Sequence, residues 1–163
     1  MNLNLGCGNQ RFENAINLDL TKNTMTDIDI QGNGIRLPFK EESFDKVFAF
    51  HVVEHMERKY IDLFLKGCWR VLKEDGKLVV AAPEAIEVLK RFLNNQFGRR
   101  WDWYHAIIFG RNLYDSDKHR CLIEEVDFRG RLMNAGFKDL KVAKSGIDSA
   151  YYATKGDQLP RYI

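Results

Sequence analysis

Two groups of residues in this sequence have the types and spacing to do chemistry. Leu3-Asn4-Leu5-Gly6-Cys7-Gly8 is an apolar run that ends in a Gly-x-Gly bend, and Asp19 closes a second apolar run, Ala15–Leu20. Glycine at such positions permits φ > 0 and lets a ligand approach the backbone closely. A carboxylate at the tip of the next parallel strand can accept hydrogen bonds from ribose hydroxyls, so the pair reads as a nucleoside-binding edge. The second group is His51, Glu54 and His55, spaced i, i+3, i+4, with His119 far downstream. Imidazoles titrate near neutrality and suit proton transfer.

The elements that must position these groups follow from hydrophobic period. Strand-like runs occur at Leu3–Leu5, Ala15–Leu20, Asp27–Gln31, Lys46–Phe50 and Lys77–Ala82, bounded by Gly, Asp or Pro. Apolar residues from Tyr60 to Leu72 recur at three- and four-residue intervals and predict a helix, with Gly76 as its stop. Further helices are predicted over Ala85–Asn95 and Ile123–Ala135, the latter capped by Gly136, before a closing antiparallel pair, Phe137–Ala143 and Ala150–Thr154. Strands alternating with helices and ending in a hairpin imply an α/β fold: a Rossmann-like, mostly parallel sheet with one antiparallel strand and helices on both faces. Nine residues, 6–14, join the first two strands, whereas a parallel crossover usually needs a dozen or more. The first crossover helix should therefore be reduced to about a turn around Gln10–Asn14.

Length and composition set bounds on function. A chain of 163 residues suits a single domain, 1–163, and 45% hydrophobic with 29% charged residues describes an ordinary globular protein. A net charge of +2 supplies no global field to draw the chain onto nucleic acid or an anionic membrane. Cys7, Cys68 and Cys121 are widely spaced and form no Cys-x-x-Cys pair, so they read as reduced thiols. With no signal-peptide pattern and no run of about 18 apolar residues, a cytoplasmic protein without a membrane span is expected.

The glycine bend does not suit a dinucleotide. The third glycine of Gly-x-Gly-x-x-Gly is Arg11, and no full helix follows to offset a pyrophosphate. A zwitterionic amino-acid end needs only a few backbone groups and a cation, which Arg11 could supply. Several blocks in order then resemble the class I S-adenosylmethionine (SAM)-dependent methyltransferases, and a compact methyltransferase type 11-like group within them. They are the residues 3–8 bend, Asn17-Leu18-Asp19-Leu20, Leu37-Pro38-Phe39, Ser43-Phe44-Asp45-Lys46-Val47, Val53-Glu54-His55, Val71 to Leu78, and Asn134-Ala135-Gly136-Phe137. The resemblance implies SAM as cofactor, with Leu5, Gly6, Cys7 and Gly8 at its methionine end, and Asp19 and Leu20 at the ribose. It implies Asn33 and Gly34 at the adenine, where the family often has Asp-Ala, with Asp29 as the alternative partner. Phe50 and His51 would then lie beside the methionine moiety.

Methyl transfer to a hydroxyl requires alignment and removal of a proton. His51 is the first candidate base, and His119 the second, because a His just before the final helix lines the acceptor pocket in similar sequences. Trp103, Tyr104, His105, Arg111, Tyr114 and His119 lie where the family places its acceptor lid, and aromatics interleaved with Arg can stack rings and clamp anions. The His51, Glu54, His55 trio could meet one ion on a helical turn, as in similar enzymes acting on polyphenolic quinone precursors. The preferred reading is no metal, with Glu54 and His55 as a scaffold pair. The Asp/Asn-Pro-Pro-aromatic run of nucleic-acid amino methylation is missing, which points to a small-molecule or glycan acceptor and to O-methylation. The alternatives are a SAM-binding module without turnover, and an RNA-directed enzyme using Arg99-Arg100-Trp101.

Overall fold

A computed structural model describes residues 1–22, 27–94 and 101–157. Its seven strands are β1 (Asn2–Leu5), β2 (Ala15–Asp19), β3 (Ile30–Gln31), β4 (Phe44–Phe50), β5 (Leu72–Pro83), β6 (Phe137–Ser145) and β7 (Asp148–Lys155). They form one sheet in the order β3-β2-β1-β4-β5-β7-β6. Pairing from β3 through β5 is parallel, and β7 runs antiparallel to both β5 and β6, so one strand is reversed, as the pattern implies. The switch in strand order falls between β1 and β4.

Helix α1 (Ile61–Val71) buries Ile61, Phe64, Leu65, Cys68 and Val71, one face at helical spacing. Helices α2 (Ala85–Leu93) and α3 (Trp101–Phe109) follow β5, and α4 (Glu125–Asn134) precedes β6. α1 and α4 pack on each other and on the sheet. They cover Leu3, Leu5, Val47, Ala49, Leu78, Val80 and Tyr151, with Phe128 and Leu132 contributed by α4. The Glu124 side chain caps α4 by accepting from the Val126 and Asp127 amides, and Gly136, at φ +91°, ends it as predicted.

Three boundaries differ from the sequence pattern. Gly76 does not end α1. The helix stops at Val71, and Leu72 already pairs with Phe44; Lys77 then pairs with Lys46, so residues 73–76 bulge out of β5 around Asp75, at φ +54°. β3 shrinks to two residues. α3 was not foreseen as a helix: Tyr104 is its sole buried residue, and such a segment has no amphipathic period to read.

The first crossover holds turns and no helix, not even one turn. A polar network replaces it. Asn17, fully buried, accepts at Oδ1 from Asn4 Nδ2 (3.0 Å) and the Phe12 amide (2.9 Å), and its Nδ2 donates to the Phe12 and Ala15 carbonyls and to Asp29. Asp29 also accepts from the Asn17 amide (2.8 Å) and from Arg11 Nη2 (2.8 Å). Phe12 meanwhile lays its ring edge-on to Phe48 and Phe50. These bonds satisfy backbone groups that a helix would otherwise pair internally.

Asn17→Ala orphans several of these partners at once, and should lower unfolding free energy by about 3 kcal/mol in a urea titration. The Asn17 amide, its side chain and Arg11 hold the Asp29 carboxyl below its ordinary value. That contribution is present at neutral pH and disappears as pH falls through the lowered value. Asp29→Asn should therefore flatten the acid limb of the stability curve; an unchanged limb would count against the network.

Candidate functional site

Open parallel sheets leave a ligand crevice at the carboxyl ends of the strands where strand order reverses. Here β1 and β4 diverge into the Gly6 bend and the His51 turn. Gly6 adopts φ +61°, and a Cβ there would collide with the Val52 side chain. The Gly6 and Cys7 amides both donate to the Leu18 carbonyl (2.8 and 3.3 Å), which folds the bend back over β2. Gly8 sits at φ +47° with nothing within 4 Å of the place its Cβ would occupy, so the space beside it is open. Its amide donates to Asp19 Oδ2 (2.8 Å), while Asp19 Oδ1 accepts from the amide and hydroxyl of Thr21. Leu20, 54% exposed, presents an apolar side chain next to this carboxylate.

The other residues of the expected cofactor set have mixed placements. Leu5 is core, and Phe50 is half-buried against Phe12 and Phe48. Cys7 is buried, its thiol pushed up to about 11 by desolvation and by Asp19, which suits packing and not nucleophilic attack. Arg11 is tied to Asp29 and to the Asp27 carbonyl, so its guanidinium braces the crossover and is not held out toward a ligand carboxylate. Asp29 accepts from Arg11 and Asn17 through its two oxygens, which ties it into the crossover. Asn33 uses Oδ1 to accept from the Ile35 amide (2.9 Å), forming the turn, and Gly34 lies against Phe64 and Met56.

Across the crevice, His51 takes φ +54°, a conformation uncommon for any residue but glycine and frequent where function requires a set geometry. Its amide continues the ladder to the Ala81 carbonyl (2.8 Å). Its Nδ1 lies 3.1 Å from Oε1 of Glu54, a side chain 3% exposed, and its Nε2 lies 3.8 Å from Asp148 Oδ2. A carboxylate only accepts, so Nδ1 carries the proton and Nε2 of the neutral ring is free to take one. The hydrogen bond to Glu54 raises the His51 pKa against the opposing effect of burial. Burial pushes the Asp148 carboxyl above its ordinary value, and its Oδ1 has no hydrogen-bond partner among the described residues. A cleft of about 260 Å³ reaches Asp148 and Ser149, with Glu87, Arg91 and Lys144 around it.

Asp148 and Val52 are site residues that the sequence reading misses. Asp148 stands in a hairpin, and only strand pairing brings that hairpin to the end of β4. His51, Glu54 and His55 do not converge on one point. Instead Glu54, His55 and His119 offer ligand atoms within 4.8 Å of one another. The expected acceptor residues are dispersed. Tyr104 is buried against Phe92 and Trp103, His105 is exposed with its ring against Phe109, and Arg111 and Tyr114 are exposed. His119 alone of that set sits beside the His51 turn, its ring 4.7 Å from that of His55. Arg99 and Arg100 lie outside the described residues.

Comparison with known proteins agrees with this geometry. Residues 3–80 match the family model for the methyltransferase domain. An uncharacterized protein of Methanocaldococcus jannaschii is 31% identical over 106 residues, 58% of this chain and 46% of that protein. The ubiquinone/menaquinone biosynthesis C-methyltransferase UbiE of Rhizobium rhizogenes is 29% identical over 116 residues, 66% of this chain and 43% of that protein. The chain thus spans less than half the length of the curated relatives it matches. Among solved structures, a SAM-dependent methyltransferase of Thermotoga maritima superposes with TM-score 0.67 at 19% identity, covering 94% of this chain and 81% of that one. The chain has the fold of the SAM-dependent methyltransferases, and its residues 3–80 are similar to the methyltransferase domain. The open space at Gly8, the Asp19 carboxylate and exposed Leu20 suit a nucleoside with an amino-acid tail. Among the described residues, no helix is long and apolar enough to cross a membrane.

Asp19→Ala removes the carboxylate beside the Gly8 opening and should weaken SAM binding by about 1–3 kcal/mol, roughly 5- to 150-fold in calorimetry. Gly6→Ala should cost about 2–4 kcal/mol of stability, since it adds left-handed strain to a clash with Val52. Val52→Ala in the same chain should recover the steric part, and failure to do so would place the strain elsewhere.

Proposed function

We propose that the chain transfers a methyl group from SAM to a hydroxyl of a small-molecule or glycan acceptor, with His51 as the base. When bound, SAM would supply an electrophilic methyl, to which the acceptor oxygen would bond as the methyl–sulfur bond breaks and S-adenosylhomocysteine leaves. The acceptor then loses one proton, and His51 Nε2 is the nitrogen left open to take it. The observation that carries the reading is the His51–Glu54 pair. A buried carboxylate fixes the tautomer and orientation of an imidazole that stays half-exposed at the end of β4. Asp148, 3.8 Å from that nitrogen, offers a second polar group to orient the acceptor or steady the protonated ring. The cleft running from Asp148 toward Arg91 and Lys144 is polar, which favours a hydroxylated acceptor over a purely apolar one.

A carbon acceptor is the second reading, favoured by the UbiE relative, whose name specifies C-methylation. An enol or phenol ring carbon also sheds a proton, so the same base serves, and mass spectrometry of the labelled product distinguishes O–CH₃ from C–CH₃.

Fractionated host extract incubated with methyl-labelled SAM should yield a labelled product of low molecular mass. His51→Ala should reduce turnover about a hundredfold or more while leaving SAM affinity within a few-fold, as expected for loss of a general base. Undiminished turnover would remove His51 from the chemistry, and tight SAM binding without transfer to any fraction would favour a non-catalytic SAM-binding module.

A further inference from the structure

We infer that Glu54, His55 and His119 form a binding site for one divalent transition-metal ion of the zinc type. The donors come from the turn after β4 and from the segment before α4, and they converge only in the folded chain. Their ligand atoms lie within 4.8 Å of one another. The backbone locks the two segments together, since the Arg120 and Cys121 amides both donate to the Glu54 carbonyl (2.7 and 3.3 Å).

The carboxylate supplies the independent sign. Glu54 is 2% exposed, and Oε1 is taken by His51, but Oε2 is buried with no hydrogen-bond partner among the described residues. Burying an unmet carboxylate oxygen is costly, and a cation meets it directly. Both imidazoles are also set for ligation. His55 Nδ1 lies 3.2 Å from the Lys118 carbonyl and His119 Nδ1 2.8 Å from the Ile107 carbonyl. A carbonyl only accepts, so each Nδ1 carries the proton and each Nε2 keeps its lone pair, the outer-shell arrangement that orients metal-binding histidines.

Two imidazoles and one carboxylate select zinc and its late first-row neighbours over Mg²⁺ or Ca²⁺, which prefer all-oxygen shells. Bonds of about 2.0–2.2 Å require the three donors to draw slightly closer on binding. Three protein ligands leave a position for water or for an oxygen of the acceptor. An ion here would also clamp the segment after α3 onto the His51 turn. His51 does not join the donor set, because it holds the other oxygen of Glu54.

The test uses the full chain stripped of metal and titrated with Zn²⁺ by calorimetry, without cofactor or acceptor, so that its failure leaves the methyl-transfer reading standing. One ion should bind per chain, and His119→Ala and Glu54→Gln should each weaken it by about tenfold or more. His51→Ala removes a hydrogen bond to Glu54 but no donor and should weaken binding less than His119→Ala does, which separates this trio from the sequence-adjacent His51, Glu54, His55 set. Zn²⁺ at a hundredfold excess over its dissociation constant should raise the melting temperature by roughly 5–10 °C, and not in His119→Ala. Co²⁺ on the unmodified chain should show ligand-field absorption distinct from the aqueous ion, which keeps the test independent of the variants. Absence of saturable Zn²⁺ binding, binding indifferent to His119→Ala, or an aqueous-type Co²⁺ spectrum would overturn the site and leave a water against Glu54.

Discussion

Glu54 buries its carboxylate where β4 turns toward α1, and the site is arranged around how that charge is met. One oxygen fixes the tautomer of His51. The other is buried with no hydrogen-bond partner among the described residues, the carboxylate lies near His55 and His119, and the backbone carbonyl of the same residue receives two amides from residues 120 and 121. A single residue thus sets the orientation of the candidate base through its side chain and the docking of a distant loop through its backbone carbonyl. Its burial makes this possible, because a solvated carboxylate would be screened and its partners free to rotate.

The cofactor half of the crevice solves a different problem. A parallel crossover without a helix leaves backbone groups unpaired, and the buried Asn17 amide side chain meets three of them while also bonding Asn4 and Asp29. The cost is that Asp29 and Arg11 are drawn into the same network and withdrawn from ligand contact. What remains for the cofactor is small and well defined: two glycine residues at positive φ, the Asp19 carboxylate and the exposed Leu20 side chain. Asn4, where the family usually has an acidic residue, belongs to this network too, donating to Gln10 and Asn17.

The aromatic stretch from Trp101 illustrates the difference between composition and placement. Trp, Tyr, His and Arg in close order suggest a stacking surface, but Tyr104 is consumed in packing against Phe92 and Trp103. Gly110, at φ +82° and closely approached by the Asp117 carbonyl, turns the chain so that His119 returns to His55. Of the six expected acceptor residues, that turn brings one to the base.

Local signals determined much of this protein. Strand and helix period, the Gly6–Gly8 bend, Asp19 at a strand tip and the Gly136 cap depend on contacts within a few residues, and a few residues suffice to read them. The blocks in order carried the fold class. Tertiary structure alone decided the partners of polar side chains: Arg11 with Asp29, His51 with Asp148, His119 with His55 and Glu54. Those pairings join segments far apart in the chain, and a side chain with several hydrogen-bonding options is committed only when packing brings one of them within about 3 Å.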